Sequence, residues 1–486
     1  MVDGLRQWGG SLHHNGMTLY LANVPKGVNF YHGTTTSRPV NGTEWLAFEP
    51  EHALGFARPH GPPPRKEKPP VSYRSRRPAK APFAVQNPSR GIDSRSAEIN
   101  DADELVDNSQ GYLQTYRTKQ PLRLIYIDGQ SAAKSDKGTL DTQDFVIRDA
   151  TQPPPPAATG RPSGPMGEAE RAAEMCNIAA KTWGGKIDGF VRMEAGFEII
   201  LCSFAKNLEM VSIHNVSPPD NDASREDEMR SYFEAVASRY DGIGDNRATI
   251  DFDNMVSLYA YGDLVSFDDT GFPRVNKDSS ALSAAKADLQ GIAMSNRTGK
   301  YEWQAISDML VSRYADKVQY LKSDQVTDIK QVTDYVTAAM RPFVDHSHRD
   351  AKCEVDKCAA QFWPGSLPPI TLTDGLCIPA LAFREVAYKI CSTFSELRDM
   401  ADLHEAQTKV HELEKWLGWS KFKRCRGCEV NEFCALPIWP FGTKEDYLRP
   451  SCRTSFDMTR GNHSYWAGPD AHGFARLSEF SGQVGW

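Results

Sequence analysis

PLRLIYIDGQSAAKSDKGTLDTQD, Pro121 to Asp144, is the stretch from which the fold class is read. Leu122 to Ile127 is a short apolar run of β-formers, the pattern of a strand buried on both faces. It ends in Asp128-Gly129 and passes into small and polar residues: Gln130, Ser131, Ala132, Ala133, Lys134 and Ser135. Open α/β sheets place ligands at the carboxyl ends of their strands, and a buried strand opening into a small-residue loop is such a place. Ser131 and Ser135 are hydroxyls with little bulk around them, and Asp128 and Lys134 supply opposite charges close by. The competing reading is a solvated turn after a core strand.

Outward from this stretch the pattern is α/β. MTLYLANV, NFYHGT and Trp45–Phe48 read as strands, and Pro50 suits the first position of a helix carrying acids in its first turn. GYLQTYR precedes the organising strand, and Asp144–Ile147 reads as another short one. Glu168 to Trp183 is an amphipathic helix. Gly184-Gly185 then leads into IDGFVRMEAGFEIILCSF, read as one long strand. Alternation puts Arg192, Glu194 and Glu198 on one face and Val191, Met193, Phe197 and Ile199 on the other. Residues 246–261 give a further strand. From about residue 300 the spacing of Ile306, Met309, Leu310, Tyr314, Val318 and Leu321 is helical, and 381–416 holds one long helix or two shorter ones.

At 486 residues the chain is long enough for two or three domains. The expected organisation is an α/β core from residues 1–150 and 166–299, a Pro-rich linker at 151–165, and a mostly helical region over 300–486. No apolar run approaches a bilayer span and no basic-then-apolar leader stands at the start. A cytoplasmic address is therefore expected, with the ten cysteines mostly thiols or metal ligands. On that reading the four N-x-S/T sequons, at Asn41, Asn215, Asn296 and Asn462, are coincidental. The net charge of −7 hides an asymmetry: Arg58 to Arg90 carries nine Lys or Arg against one acid, +8, leaving −15 for the rest. That Pro-rich arm, including Arg65, Lys66, Lys68, Arg74, Arg76, Arg77 and Lys80, reads as an extended, disordered segment. It is either a solvated linker or a holder of a phosphate backbone.

Cys425, Cys428, Cys434 and Cys452 form C-x2-C-x5-C-x17-C, which admits a structural zinc site, disulfides or free thiols. Two carboxylates on one strand face, Glu194 and Glu198, would suit a guanidinium or ammonium ligand. A self-satisfied pairing with Arg192 is the alternative. There is no Walker or G-x-G-x-x-G loop.

YIDGQSAAK, GTLDTQD, IDGFVRMEAGFEII and WPFGTKEDYLRPSC together resemble a large group of fungal proteins without a recognised domain, among which stand the arginine-containing cyclodipeptide synthases. Gly129-Gln130-Ser131-Ala132-Ala133-Lys134-Ser135 is also similar to the G-x-S-x-x-N-S loop of the bacterial cyclodipeptide synthases, with Lys134 in place of Asn. The resemblance implies tRNA-dependent formation of an arginine-containing cyclic dipeptide, with arginyl-tRNA and a second charged tRNA as partners and no required cofactor. Ser131, Asp128 and Glu194 would be catalytic, and Arg192, Glu198, Asp188 and His32 would bind substrate. FYHGTTT, around His32, more weakly resembles the start of ADP-ribosyltransferase-like domains, where such a residue contacts NAD; only Gln143-Asp144 stands where the later catalytic Glu is expected. A non-catalytic nucleic-acid-binding protein is the third reading.

Overall fold

A computed structural model describes residues 4–57, 110–148, 150, 167–217, 225–237, 247–299, 301–362, 378–454 and 465–466. Nine strands form one mixed sheet: β1 (Asn15–Val24), β2 (Asn29–Thr34), β3 (Glu44–Ala47), β4 (Tyr112–Thr118), β5 (Leu122–Gly129), β6 (Gly189–Met193), β7 (Phe197–Leu201), β8 (Leu208–Asn215) and β9 (Thr249–Ser257). Their order is β8-β4-β2-β3-β7-β6-β5-β1-β9. The organising strand β5 lies inside, antiparallel to β1 and parallel to β6. A parallel neighbour needs a crossover. It runs through the third helix, α3 (Glu168–Lys181), which follows the short α1 (Gln7–Leu12) and α2 (Pro50–Leu54) and was legible as an amphipathic helix.

Alternation along β5 explains the layers. Leu122, Leu124 and Tyr126 join one core cluster, Ile125 and Ile127 the other. The first cluster is shared with the long C-terminal helices Trp303–Leu321, Ile329–Met340, Ala351–Ala360, Ile378–Arg398 and Leu403–Leu417. The second is shared with α3, through Ala172, Met175, Cys176 and Ala179, with Trp183 just after it, and with the helix Leu282–Met294. The fold is α/β with a helical C-terminal part. No described helix is long and apolar enough to cross a membrane.

Three expectations are corrected. IDGFVRMEAGFEIILCSF is not one strand but a hairpin, β6 turning into β7 over Glu194-Ala195-Gly196. The turn fits because Gly196 passes against the His52 ring, where a Cβ would come within 2.8 Å of the imidazole. Asp144–Ile147 is not a strand but part of a π-helical turn, Thr142–Ile147. Most described cysteines are not thiols: the pairs Cys176–Cys202, Cys358–Cys391, Cys425–Cys434 and Cys428–Cys452 are disulfides, and Cys353 is exposed and free. The basic arm and the 151–165 linker lie outside the described residues.

Gly16 ties β1 to the end of β5. A Cβ there would stand 1.9 Å from the Asp128 carbonyl oxygen, beside the irregular register between Asn15 and Leu19. Gly16→Ala must push two paired backbones apart, so it should lower stability by about 2–3 kcal/mol, read as a drop in the urea midpoint. An unchanged midpoint would refute this strand pairing.

Candidate active site at the carboxyl ends of the parallel strands

The loop after β5 is buried rather than solvated: Gln130, Ser131, Ala132 and Ala133 have no exposed surface and Lys134 has 2%. Backbone bonds latch it on two sides, from Gln130 N–H to the His14 carbonyl and from Ala132 N–H to the Met193 carbonyl at the end of β6, each 2.9 Å. The Gln130 amide clamps a C-terminal segment over it, donating to the Pro437 carbonyl and accepting from Trp439 N–H. Trp439, Tyr465 and Trp466 pack with Ala133, and the Lys134 ammonium lies 5.2 Å from the Trp439 ring centre. Asp128 accepts from Thr18 N–H (3.0 Å) and so braces β1. The Ser131 hydroxyl donates to the Ile127 carbonyl (2.9 Å), and no base is bonded to it among the described residues.

The charges behind this loop form one network. Arg192 and Glu198 face each other across the β6–β7 hairpin, so the shared face inferred from alternation survives the turn. Arg192, 1% exposed, donates from Nε to Glu198 (2.7 Å), from Nη1 to the Gln143 Oε1 (2.9 Å) and from Nη2 to Glu168. Glu168 is the first residue of α3, where a carboxylate also meets the positive end of the helix dipole. Its other oxygen accepts from Arg171 (2.8 Å). Lys134 bonds Glu194 and stands 3.7 Å from Glu168. Asp144 closes the outer edge, bridging Arg171 (3.0 Å) and Arg148 (2.8 Å). Lys134, Arg171 and Arg192 balance Glu168, Glu194 and Glu198.

Burial sets the electrostatics. For Arg192 it works against the charge, but Glu168 and Glu198 outweigh it and push the guanidinium further up. Burial would likewise raise Glu168, yet Arg192 and Lys134 hold it at about 2. Glu194 comes out the other way: burial, reinforced by Glu198 and Glu168, outweighs Lys134 and raises its carboxyl to about 7. One carboxylate is thus locked ionised while its neighbour titrates near neutrality.

Sequence reasoning missed His52 and Tyr232. His52 lies in the short helix Pro50–Leu54, 4% exposed, and burial with help from the Lys134 charge lowers it to about 4. The Tyr232 hydroxyl donates to the Ala195 carbonyl and lies 3.5 Å from His52 Nδ1. His52 Nε2 and Gln143 Nε2 are buried with no hydrogen-bond partner. The periodicity of residues 50–57 gives no sign of this, because His52 reads there as an ordinary face of a short helix.

Other candidate residues lie elsewhere. His32, on β2, is separated from β6 by β3 and β7, roughly 14 Å at ordinary strand spacing. Its Nδ1 bonds the Trp45 carbonyl at 2.8 Å, and burial lowers it to about 4. Asp188 precedes β6 at its other end, accepting from Arg123 N–H (3.1 Å) and from Lys206 (2.9 Å). Arg65, Lys66, Lys68, Arg74, Arg76, Arg77 and Lys80 lie outside the described residues. The four clustered cysteines do converge, on the hairpin Phe433–Ala435 with Ser451–Arg453, where Cys434 faces Cys452. The sulfurs of Cys425, Cys428 and Cys452 lie within 4.8 Å of one another, a geometry that could hold a metal, while the four sulfurs are paired as disulfides.

Residues 1–224 match the family model of the YPL277C N-terminal domain. That segment contains every member of the ion network. The chain is similar to Uncharacterized protein YOR389W of Saccharomyces cerevisiae, 30% identical over 223 residues, which covers 44% of this chain and 32% of the relative. It is equally similar to Uncharacterized protein YPL277C of the same yeast, 30% identical over 223 residues, covering 44% and 42%. The chain therefore spans about a third to two fifths of the length of these relatives. No solved structure matches it.

Two outcomes follow from the network and its neighbours. Arg192→Met keeps bulk but leaves the buried Glu198 without its cation and takes one of two bonded arginines from Glu168, so unfolding should become easier by about 3–5 kcal/mol. A urea midpoint within experimental error of the parent would mean the network carries no such load. The second concerns acid. Burial lowers His14, His32 and His52 each to about 4, so between pH 6.5 and 4 the unfolded chain binds protons the folded one refuses. Stability is fully present above 6.5 and is lost as pH falls to 4, by up to about 3 kcal/mol per histidine. Glu194 opposes this from 7 down to 4.5, offsetting roughly one of them, and Glu168 adds a loss from 4.5 to 2. Urea midpoints at pH 7, 5.5 and 4.5 should fall, and His32→Asn should flatten the fall; a flat parent profile refutes the assignment.

Proposed function

We propose that the chain is an enzyme whose working pair is Lys134 and Glu194, with His52 and Gln143 binding its substrate. One observation carries this reading: beside a charge-balanced network, His52 Nε2 and Gln143 Nε2 are buried without partners. Leaving such groups bare costs about 1–3 kcal/mol each, which a substrate engaging them recovers. Tyr232 gives its proton to the Ala195 carbonyl, so towards His52 Nδ1 it can only accept, and Nε2 is left as a bare lone pair. Gln143 offers amide protons. A small molecule that presents a donor to His52 and an acceptor to Gln143, as a hydroxy acid or an amide can, satisfies both. Glu194, titrating near neutrality, can give or take a proton, and Lys134 can stabilise an oxyanion. Together these suit acyl or proton transfer at a carbonyl.

Formation of an arginine-containing cyclic dipeptide from charged tRNA is the reaction of this class implied by the sequence resemblance. In that version a substrate guanidinium must exchange with Arg192 or Lys134, which already bond Glu198 and Glu194. ADP-ribosyl transfer centred on His32 would use a different part of the sheet. Structural zinc at Cys425, Cys428, Cys434 and Cys452 would replace both disulfides, since a ligand thiolate cannot remain in an S–S bond. Zinc content measured with and without reductant separates the two states.

The test compares extracts and medium of a heterologous host carrying the parent chain, Glu194→Gln or an empty vector, by mass spectrometry. The parent should yield a product absent from the vector control and reduced at least tenfold by Glu194→Gln, with the melting temperature of the variant within a few degrees. A diketopiperazine would identify the tRNA-dependent version, and labelled NAD incorporation the ADP-ribosyl version. Identical profiles for parent and empty vector would sink the proposal.

A further inference from the structure

The disulfides change how the sequons read. Eight of the ten cysteines are paired in four bridges that tie together separate elements: α3 to the residue after β7, Ala351–Ala360 to Ile378–Arg398, and two within the C-terminal hairpin region. Bridges of this number persist in oxidising compartments and are rare in the cytosol. A chain maturing in such a eukaryotic compartment also meets the machinery that glycosylates N-x-S/T.

Burial sorts the asparagines accordingly. Asn15, Asn207 and Asn254 are buried, and none of them begins a sequon. The three sequon asparagines among the described residues, Asn41, Asn215 and Asn296, are all exposed. A bulky hydrophilic glycan can be carried only at such positions. They are not equal, however. At Asn215 the side-chain nitrogen that would bear the sugar is engaged, donating to Gln110 (2.9 Å). Asn41 lies in the exposed loop before β3, anchored through the Thr43 hydroxyl, which donates to the Cys202 carbonyl (3.1 Å) beside a disulfide. Asn296 follows the helix Leu282–Met294. Its side-chain Oδ1 accepts from Lys186 (3.1 Å), which leaves Nδ2 outward, and Arg297 and Thr298 are exposed with it.

We propose that Asn41 and Asn296 are N-glycosylation acceptors and that the chain matures in the secretory pathway. At each, the side-chain nitrogen attacks the anomeric carbon of a lipid-pyrophosphate-linked oligosaccharide. A C–N bond forms, the C–O bond to pyrophosphate breaks, the lipid pyrophosphate leaves and the nitrogen gives up one proton. This is independent of the Lys134–Glu194 chemistry, but it is incompatible with a tRNA-dependent reaction, because charged tRNA is a cytosolic substrate.

The chain expressed in yeast, with Asn41→Gln and Asn296→Gln, tests the assignment by gel mobility before and after an endoglycosidase specific for N-linked glycans. Digestion should speed the parent band, and each variant should lack one step of the glycan ladder. Alkylation of the denatured, unreduced protein should leave eight cysteines protected in parent and variants alike, showing that the variants fold. A parent band unmoved by digestion overturns the proposal, as does either variant keeping the full ladder.

Discussion

Burying the Arg192 guanidinium is the constraint on which this end of the molecule depends. An isolated charge in the interior costs several kcal/mol, so every group that reaches it must be placed well. Glu198 reaches it because the β6–β7 hairpin sets the two residues opposite each other. Glu168 reaches it because α3 begins above the strand ends, and Gln143 because the chain after β5 winds into a π-helical turn. One cation thereby couples the hairpin register, the start of the crossover helix and the course of the preceding loop. Lys134 and Glu194 extend the same network towards His52 and Tyr232.

Water exclusion does the rest. The segment from Pro437 to Phe441, with Tyr465 and Trp466, covers the loop after β5, and the buried Gln130 amide holds it in place. In that low-dielectric setting two glutamates on the same network diverge. Glu168, with two arginines bonded to it, stays ionised, whereas Glu194, bonded by Lys134, is raised towards neutrality. Environments that push like groups apart in this way are how proteins make an acid and a base from the same side chain. The matched segment 1–224 contains these groups, while Tyr232, β9 and the C-terminal covering segment fall beyond it.

The elements that could be read from the chain were those with strong local signals. β1, β2 and β5 carry β-forming residues bounded by turn residues, and α3 has a clear helical period; these stand where the pattern put them. The Arg192–Glu198 side was legible too, because a hairpin with these residues opposed keeps them on the face that simple alternation gives. The turn itself was not, since Glu194-Ala195-Gly196 holds one glycine and no proline. Nor was the π-helical turn at Thr142–Ile147, whose apolar residues fit a short strand equally well.

The sequence by itself determined the α/β class, the organising strand and the charged side chains near the strand ends. Those follow from local period and composition, which act over a few residues. Only the tertiary structure decided which charges meet. Lys134 and Glu194 are 60 positions apart, and His52 and Tyr232 180, so their encounters depend on strand order and on the packing of helices that no local pattern encodes. The same holds for the cysteines. Spacing left zinc, thiol and disulfide open, and the fold paired them by bringing Cys176 on α3 to Cys202 and, in the C-terminal hairpin region, Cys434 to Cys425 and Cys452 to Cys428.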